Sequence, residues 1–155
     1  MLLQWTVERY RREKHAPLLK RSGVHFAKLT GGSFKELKIE FGEHDKMHLA
    51  GVRSDDTIVP VSGMSDGTAD QLYLALKVAA VEDSLSHGIP LPFVADDLFI
   101  NFDGPRAAAG FEVLAELAHK TQVLFFTHHS RLADLGSKAG ASVIHLQPSA
   151  ATAVA

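Results

Sequence analysis

The chain has 155 residues, 46% of them apolar and 22% charged, with a formal net charge of −2; this suffices for one domain with its own core and gives no global electrostatic case for nucleic acid. It contains no cysteine, which excludes disulfides and thiolate metal sites and fits a reducing cytoplasm. No apolar run approaches the ~20 residues of a membrane span, and the start, with Leu2, Leu3 and Trp5 ahead of Glu8, Arg9 and Arg11, lacks the basic opening and small-residue cleavage site of a signal peptide.

Residues 1–29 read as a helix, in which Leu3, Val7, Tyr10, Leu18, Leu19, Phe26 and Leu29 recur among polar positions. Arg9, Arg11, Arg12, Lys14, Lys20, Arg21 and Lys28 outweigh Glu8 and Glu13, so the helix is basic. Pro17 is expected to kink or divide it. Two readings stand: a solvated helix with one packed stripe, or the end of a coiled-coil arm.

Thr30-Gly31-Gly32 breaks the helix, and an antiparallel meander is expected over 30–61. Leu37, Ile39 and Phe41 alternate with Lys38 and Glu40 in the first strand. Gly42–Asp45 reads as a turn, Met47–Val52 as a second strand, Ser54–Asp56 as another turn and Thr57–Val61 as a third strand.

From residue 62 to 147 the pattern changes to alternating helix and strand. Ser62–Thr68 is a polar loop; Leu72–Val81 is a mostly buried helix; Leu91–Ala95 is a continuous apolar strand. Asp103 is placed to cap a helix with Pro105 in its first turn, running to about His119. Val123–Phe126 is a second apolar strand, Ser130–Leu135 a short helix stopped by Gly136, and Val143–Leu146 a last strand. Residues 148–155 have no pattern and are expected to form a disordered tail. The resulting class is α/β: parallel strands covered by helices on both faces, plus the meander and the N-terminal helix.

Ligands of parallel sheets sit at the C-terminal ends of the strands, and two polar groups fall there. Asp96 and Asp97 follow the first strand. Asp96 suits Mg²⁺, which prefers hard oxygen ligands, and Asp97 could orient an attacking water; alternatively both acids cap the next loop. His128 and His129 follow the second strand, as phosphate-contacting groups or as a polar pair opening the next helix. Adjacent strand residues point to opposite faces, which argues against a shared metal. The loop Ser65-Asp66-Gly67-Thr68 opens a helix and so offers free N–H groups to an anion; Thr68 and Gln71 also fit a capping box. No Gly-x-x-x-x-Gly-Lys-Ser/Thr phosphate cradle occurs, since Gly31-Gly32-Ser33 is followed by Phe34.

In this order the motifs resemble the C-terminal half of an ABC-type ATPase head of the SMC, SbcC and YhaN-like class. Met64–Leu76 resembles the signature motif and helix, closest to the YhaN-like branch in its Asp70-Gln71-Leu72-Tyr73-Leu74-Ala75-Leu76 run. Leu91–Asp97 resembles Walker B, Asn101–Asp103 the D-loop, and Phe126–His129 the switch-histidine loop; the likeness spans about residues 5–147.

The resemblance implies a partial P-loop NTPase whose two heads sandwich ATP. Ser65, Gly67 and Thr68 would meet nucleotide on the opposite head, Asp96 would serve Mg²⁺, Asp97 the attacking water, and Asp103 the dimer contact. His128 or His129 would sense the γ-phosphate. The basic helix would then be the returning coiled-coil arm. The implied partners are a Walker A-containing N-terminal lobe, a second head in a head-to-head homodimer, DNA and an accessory nuclease subunit; the implied place is the cytoplasm, at the nucleoid. The chain departs from the pattern at Asp97, where most ABC proteins have Glu though the YhaN-like branch tends to Asp-Asp, and at Asp66, a negative charge beside the presumed phosphate. The isolated chain is expected to be inactive as an ATPase. Two other readings remain: a non-catalytic dimerisation or DNA-binding module, and a metal-dependent phosphoesterase using Asp96, Asp97, His128 and His129.

Overall fold

The computed structural model describes the backbone of residues 2–41 and 47–146, and side chains from residue 16 onward except Phe41. The turn expected at Gly42–Asp45 and the tail at 148–155 lie outside the described residues.

Helix α1 (Leu2–Leu29) is continuous through Pro17, which was expected to kink or divide it. Pro17 is exposed, so the hydrogen bond its ring removes is lost toward solvent. Packing carries the helix onward: Phe26 and Leu29 are fully buried, against α2 and β1.

Strands β1 (Phe34–Phe41), β2 (Met47–Arg53) and β3 (Ile58–Pro60) form the antiparallel meander in the order β1-β2-β3. The register shifts between Phe34 and Glu36. Such a bulge puts residues three apart on one face, and Phe34 and Leu37 are both buried. Strict alternation was expected to bury Ile39 as well; instead Ile39 is partly exposed, beside a shallow groove of about 310 Å³ lined by Leu18, Leu19, Met47, Leu49 and Leu76.

Helix α2 (Asp66–Ser86) lies along α1 and buries Leu72, Leu74, Ala75, Val78 and Ala79. Polar contacts key the two helices together. Gln71, almost fully buried, donates to the Leu29 carbonyl at the end of α1. His25 Nε2 meets Glu82 Oε2 at 2.8 Å, and Lys120 donates to Glu82 Oε1 at 2.6 Å. Burial opposes ionisation of Glu82, but the hydrogen bonds from Lys120 and His25 outweigh it and hold the carboxyl below its ordinary value.

Strands β4 (Phe93–Asp96) and β5 (Val123–Phe126) pair in parallel, with Phe93 opposite Val123 and Asp96 opposite Phe126. Helix α3 (Gly104–Ala118) packs against this pair, and α4 (Ser130–Lys138) against α3. The centre is aromatic: Phe99 lies 5.0–5.1 Å, centroid to centroid, from Phe102, Phe111 and Phe125. Such ring pairs each add about 0.5–1.5 kcal/mol beyond the area they bury.

Three expectations are corrected here. The parallel pair is covered on one face only: Phe93 and Ala95 are buried, whereas Val94 (59%), Leu124 (39%) and Phe126 (46%) are exposed on the other. Val143–Leu146 forms no strand; Ile144 and Leu146 are 81% and 80% exposed. A strand exists only through ladder partners, and among the described residues none lies beside it. Helix α4 runs through Gly136, which is buried against the Phe111 ring instead of ending the helix.

Candidate functional site

Asp96 is the last residue of β4 and is exposed, on the same side as Val94. At Asp97 the backbone turns sharply into the left-handed region, with φ +45°. Asp adopts that region more readily than most residues, yet it remains a strained conformation that marks functional turns. The turn is held by the Asp97 N–H donating to the Phe126 carbonyl at 3.0 Å, and it separates the two carboxylates. Asp97 Oδ2 lies 3.0 Å from His128 Nδ1, while Oδ1 is buried and has no hydrogen-bond partner among the described residues.

The strand rule was expected to send His128 and His129 to opposite faces. Their rings instead lie 3.9 Å apart, because β5 ends at Phe126 and both histidines sit in the turn into α4. One ligand atom from each of Asp97, His128 and His129 falls within 4.8 Å of the others. Asp96 is not part of this group. Two imidazoles and one carboxylate suit borderline transition metals more than Mg²⁺, whose oxygen preference fits Asp96.

A second cluster surrounds the start of α2. Ser65, rather than Thr68, is the N-cap: its Oγ accepts from the Thr68 N–H at 3.4 Å and pairs with Thr68 Oγ1 at 2.9 Å. The expected Thr68–Gln71 capping box does not form, because Gln71 is drawn inward by the α1 carbonyl. Asn101 Nδ2 donates to Asp70 Oδ2 at 2.9 Å, tying the loop after β4 to α2. Asp103 caps α3 as expected, accepting from the Arg106 N–H at 2.9 Å. Gly67 faces the Arg106 guanidinium: a Cβ there would lie 3.0 Å from Nη1. Arg106 and the Asn101–Asp70 bond were not singled out from sequence. The available signal was the position of Arg106, three residues after the Asp103 cap.

Asp96 aside, the expected site residues therefore fall into two groups, Asp97 with His128 and His129, and Ser65, Gly67 and Thr68 with Asp103 nearby. Among the described residues no hydrogen bond or ion pair joins the groups.

The fold that carries these groups has counterparts among solved structures. An SMC ATPase described for ATP-driven dimerization and DNA-stimulated activation superposes with a TM-score of 0.67, at 13% identity, over 82% of this chain and 76% of that one. The Smc head domain with an extended coiled coil from Pyrococcus furiosus, bound to the C-terminal domain of ScpA, gives 0.61 at 14% identity, over 79% of this chain and 31% of that one. The fold is that of an SMC ATPase head. In sequence, the chain is 31% identical over 141 residues to the uncharacterized protein YhaN of Bacillus subtilis, covering 90% of this chain but only 14% of that protein. No family model matches the chain. Among the described residues no helix is long and apolar enough to cross a membrane.

Proposed function

We propose that this SMC-type lobe is the C-terminal part of an ATP-hydrolysing head, completed by a Walker A-containing lobe and acting on DNA in repair or chromosome maintenance. The observation that carries the reading is the Asp97–His128 pair, 3.0 Å apart at a left-handed turn beyond a parallel strand. Asp97 orients and deprotonates the attacking water, and His128 holds that carboxylate and responds to the terminal phosphate. The His129 ring lies beside that of His128, tilted against it, and is the alternative sensor. Asp96 is the residue to hold Mg²⁺, which when bound neutralises charge on the phosphates. The separate Ser65–Gly67–Thr68 loop suits nucleotide on an opposing head, and Asp103, 60% exposed, suits the contact between heads.

The uncovered face of β4 and β5 supports completion by a second lobe. Val94, Leu124 and Phe126 present apolar area at the centre of what would be a wider sheet. The basic α1 fits the root of a coiled-coil arm, and DNA and a nuclease subunit fit as partners of the whole assembly.

The test is reconstitution. This chain mixed with a Walker A-containing segment hydrolyses ATP in Mg²⁺; the chain alone does not. Clear turnover by the pure chain, abolished in Asp97→Asn, overturns the two-lobe reading. The clustering of Asp97, His128 and His129 favours one rival, a metal-dependent phosphoesterase; Mn²⁺- or Zn²⁺-dependent phosphodiester cleavage without ATP would establish it instead.

A further inference from the structure

The signature loop carries a charge problem. Asp66 lies in the first turn of α2, where a triphosphate from the opposing head would approach, and a carboxylate there repels it. The free N–H groups of a helix start and the Ser65 hydroxyl offer only partial charges against this.

We propose that Arg106 is the fixed cation of this loop, contacting the terminal phosphate of a nucleoside triphosphate brought by the opposing head; the inference rests on the sandwich reading above. The guanidinium packs directly over Gly67, since a Cβ on that residue would lie 3.0 Å from Arg106 Nη1 and 3.6 Å from the Asn101 carbonyl. Its Nε lies 3.7 Å from Asp103 Oδ2, and the backbone N–H of Arg106 donates to Asp103 Oδ1 at 2.9 Å, which fixes where the side chain starts. Its side chain remains 41% exposed, so the fork is oriented yet reachable. Arginine keeps its charge at all working pH values and matches phosphate oxygens through parallel N–H bonds. A second arginine reinforces the field, with Arg131 Nη2 3.3 Å from where a Gly104 Cβ would lie. A side chain at 67 would press on the guanidinium, which would have to shift by a few tenths of an ångström.

The experiment uses heads assembled by co-expressing this chain with a Walker A-containing segment, in an Asp97→Asn background, with ATP-dependent dimerisation followed by sedimentation velocity. Arg106→Ala weakens the dimer about tenfold to a hundredfold, as expected for a lost charge-assisted bond. Arg106→Lys recovers part of this, and so does adding Asp66→Asn to Arg106→Ala. Ser65→Arg, which blocks the loop sterically, abolishes the dimer. If Ser65→Arg fails but Arg106→Ala dimerises like the parent, the Arg106 assignment falls alone. If Arg106→Ala weakens the dimer and neither Lys nor Asp66→Asn restores it, Arg106 merely braces the loop and the assignment also falls. If Ser65→Arg dimerises normally, or the parent does not dimerise with ATP, the sandwich reading itself falls and takes Arg106 with it.

Discussion

Replacing Gly110 by alanine tests whether the aromatic cluster holds the loop that carries Asp97. By helix propensity alone, alanine at an interior position of α3 gains about 1 kcal/mol over glycine. Tertiary packing opposes it. The new Cβ would lie 2.5 Å from Phe99 Cζ and 2.7 Å from Cε1, far inside contact distance. Phe99 is 1% exposed and ringed by Phe102, Phe111 and Phe125, so it cannot swing away freely. Overpacking of this kind costs about 1–3 kcal/mol, which leaves a net loss of about 0–2 kcal/mol. At roughly 2–4 °C per kcal/mol for a chain of this size, the melting temperature falls by up to about 8 °C. Urea unfolding followed by circular dichroism measures the loss. The decisive arm is a double-mutant cycle with Phe99→Leu, which removes the clashing ring atoms. In that background Gly110→Ala becomes stabilising, with a coupling of at least about 0.5–1 kcal/mol. A Gly110→Ala protein about 1 kcal/mol more stable than the parent, or a cycle without coupling, refutes the claim that Phe99 is wedged between α3 and the sheet. Phe99 lies two residues beyond Asp97, so the same variant in an assembled head is expected to lower hydrolysis.

Asp97→Asn in an assembled head is expected to cut ATP hydrolysis by about a hundredfold or more while leaving ATP-dependent dimerisation intact, because it removes a proton acceptor without removing a phosphate contact; equal loss of both in a dimerisation and turnover assay contradicts the role given to Asp97. Glu82 is held below its ordinary value of 4.5, so its pairing with His25 and Lys120 stabilises the fold at higher pH and is lost as pH falls below that value; Glu82→Gln should flatten the acid limb of a pH–stability curve, and an unchanged limb counts against the pairing. Phe126→Ser with Leu124→Ser should make the isolated chain more soluble and weaken its association with a Walker A lobe, measured by light scattering and pull-down; undiminished association shows that the lobe docks elsewhere. Gln71→Ala should cost about 2–4 kcal/mol in urea unfolding, through a cavity and an orphaned Leu29 carbonyl, and a loss below about 1 kcal/mol would show that this bond does not hold α1 to α2.

The elements whose signal is local were legible in the sequence. The three strands of the meander, the apolar runs of β4 and β5, and the Asp103 cap of α3 depend on residues within one turn or one strand pair, and each lies close to where it was expected. Adjacent carboxylates after an apolar run likewise mark a strand end without reference to any other segment.

What only the tertiary structure decided involves partners distant in sequence. Helix α1 continues past the exposed Pro17 into a segment that α2 and β1 cover, where Phe26 and Leu29 are buried. Gln71 turns inward because an α1 carbonyl, 42 residues earlier, needs a donor. Val143–Leu146 has strand propensity but no ladder beside it among the described residues. His128 and His129 converge on Asp97 because β5 stops one residue before Thr127 and its parallel register sets Asp96 opposite Phe126. Composition and period determine which segments prefer helix or strand; which face is covered, which carboxylate meets a histidine and where Arg106 rests depend on how those segments pack, because contact energies act between atoms that the fold alone brings within a few ångströms.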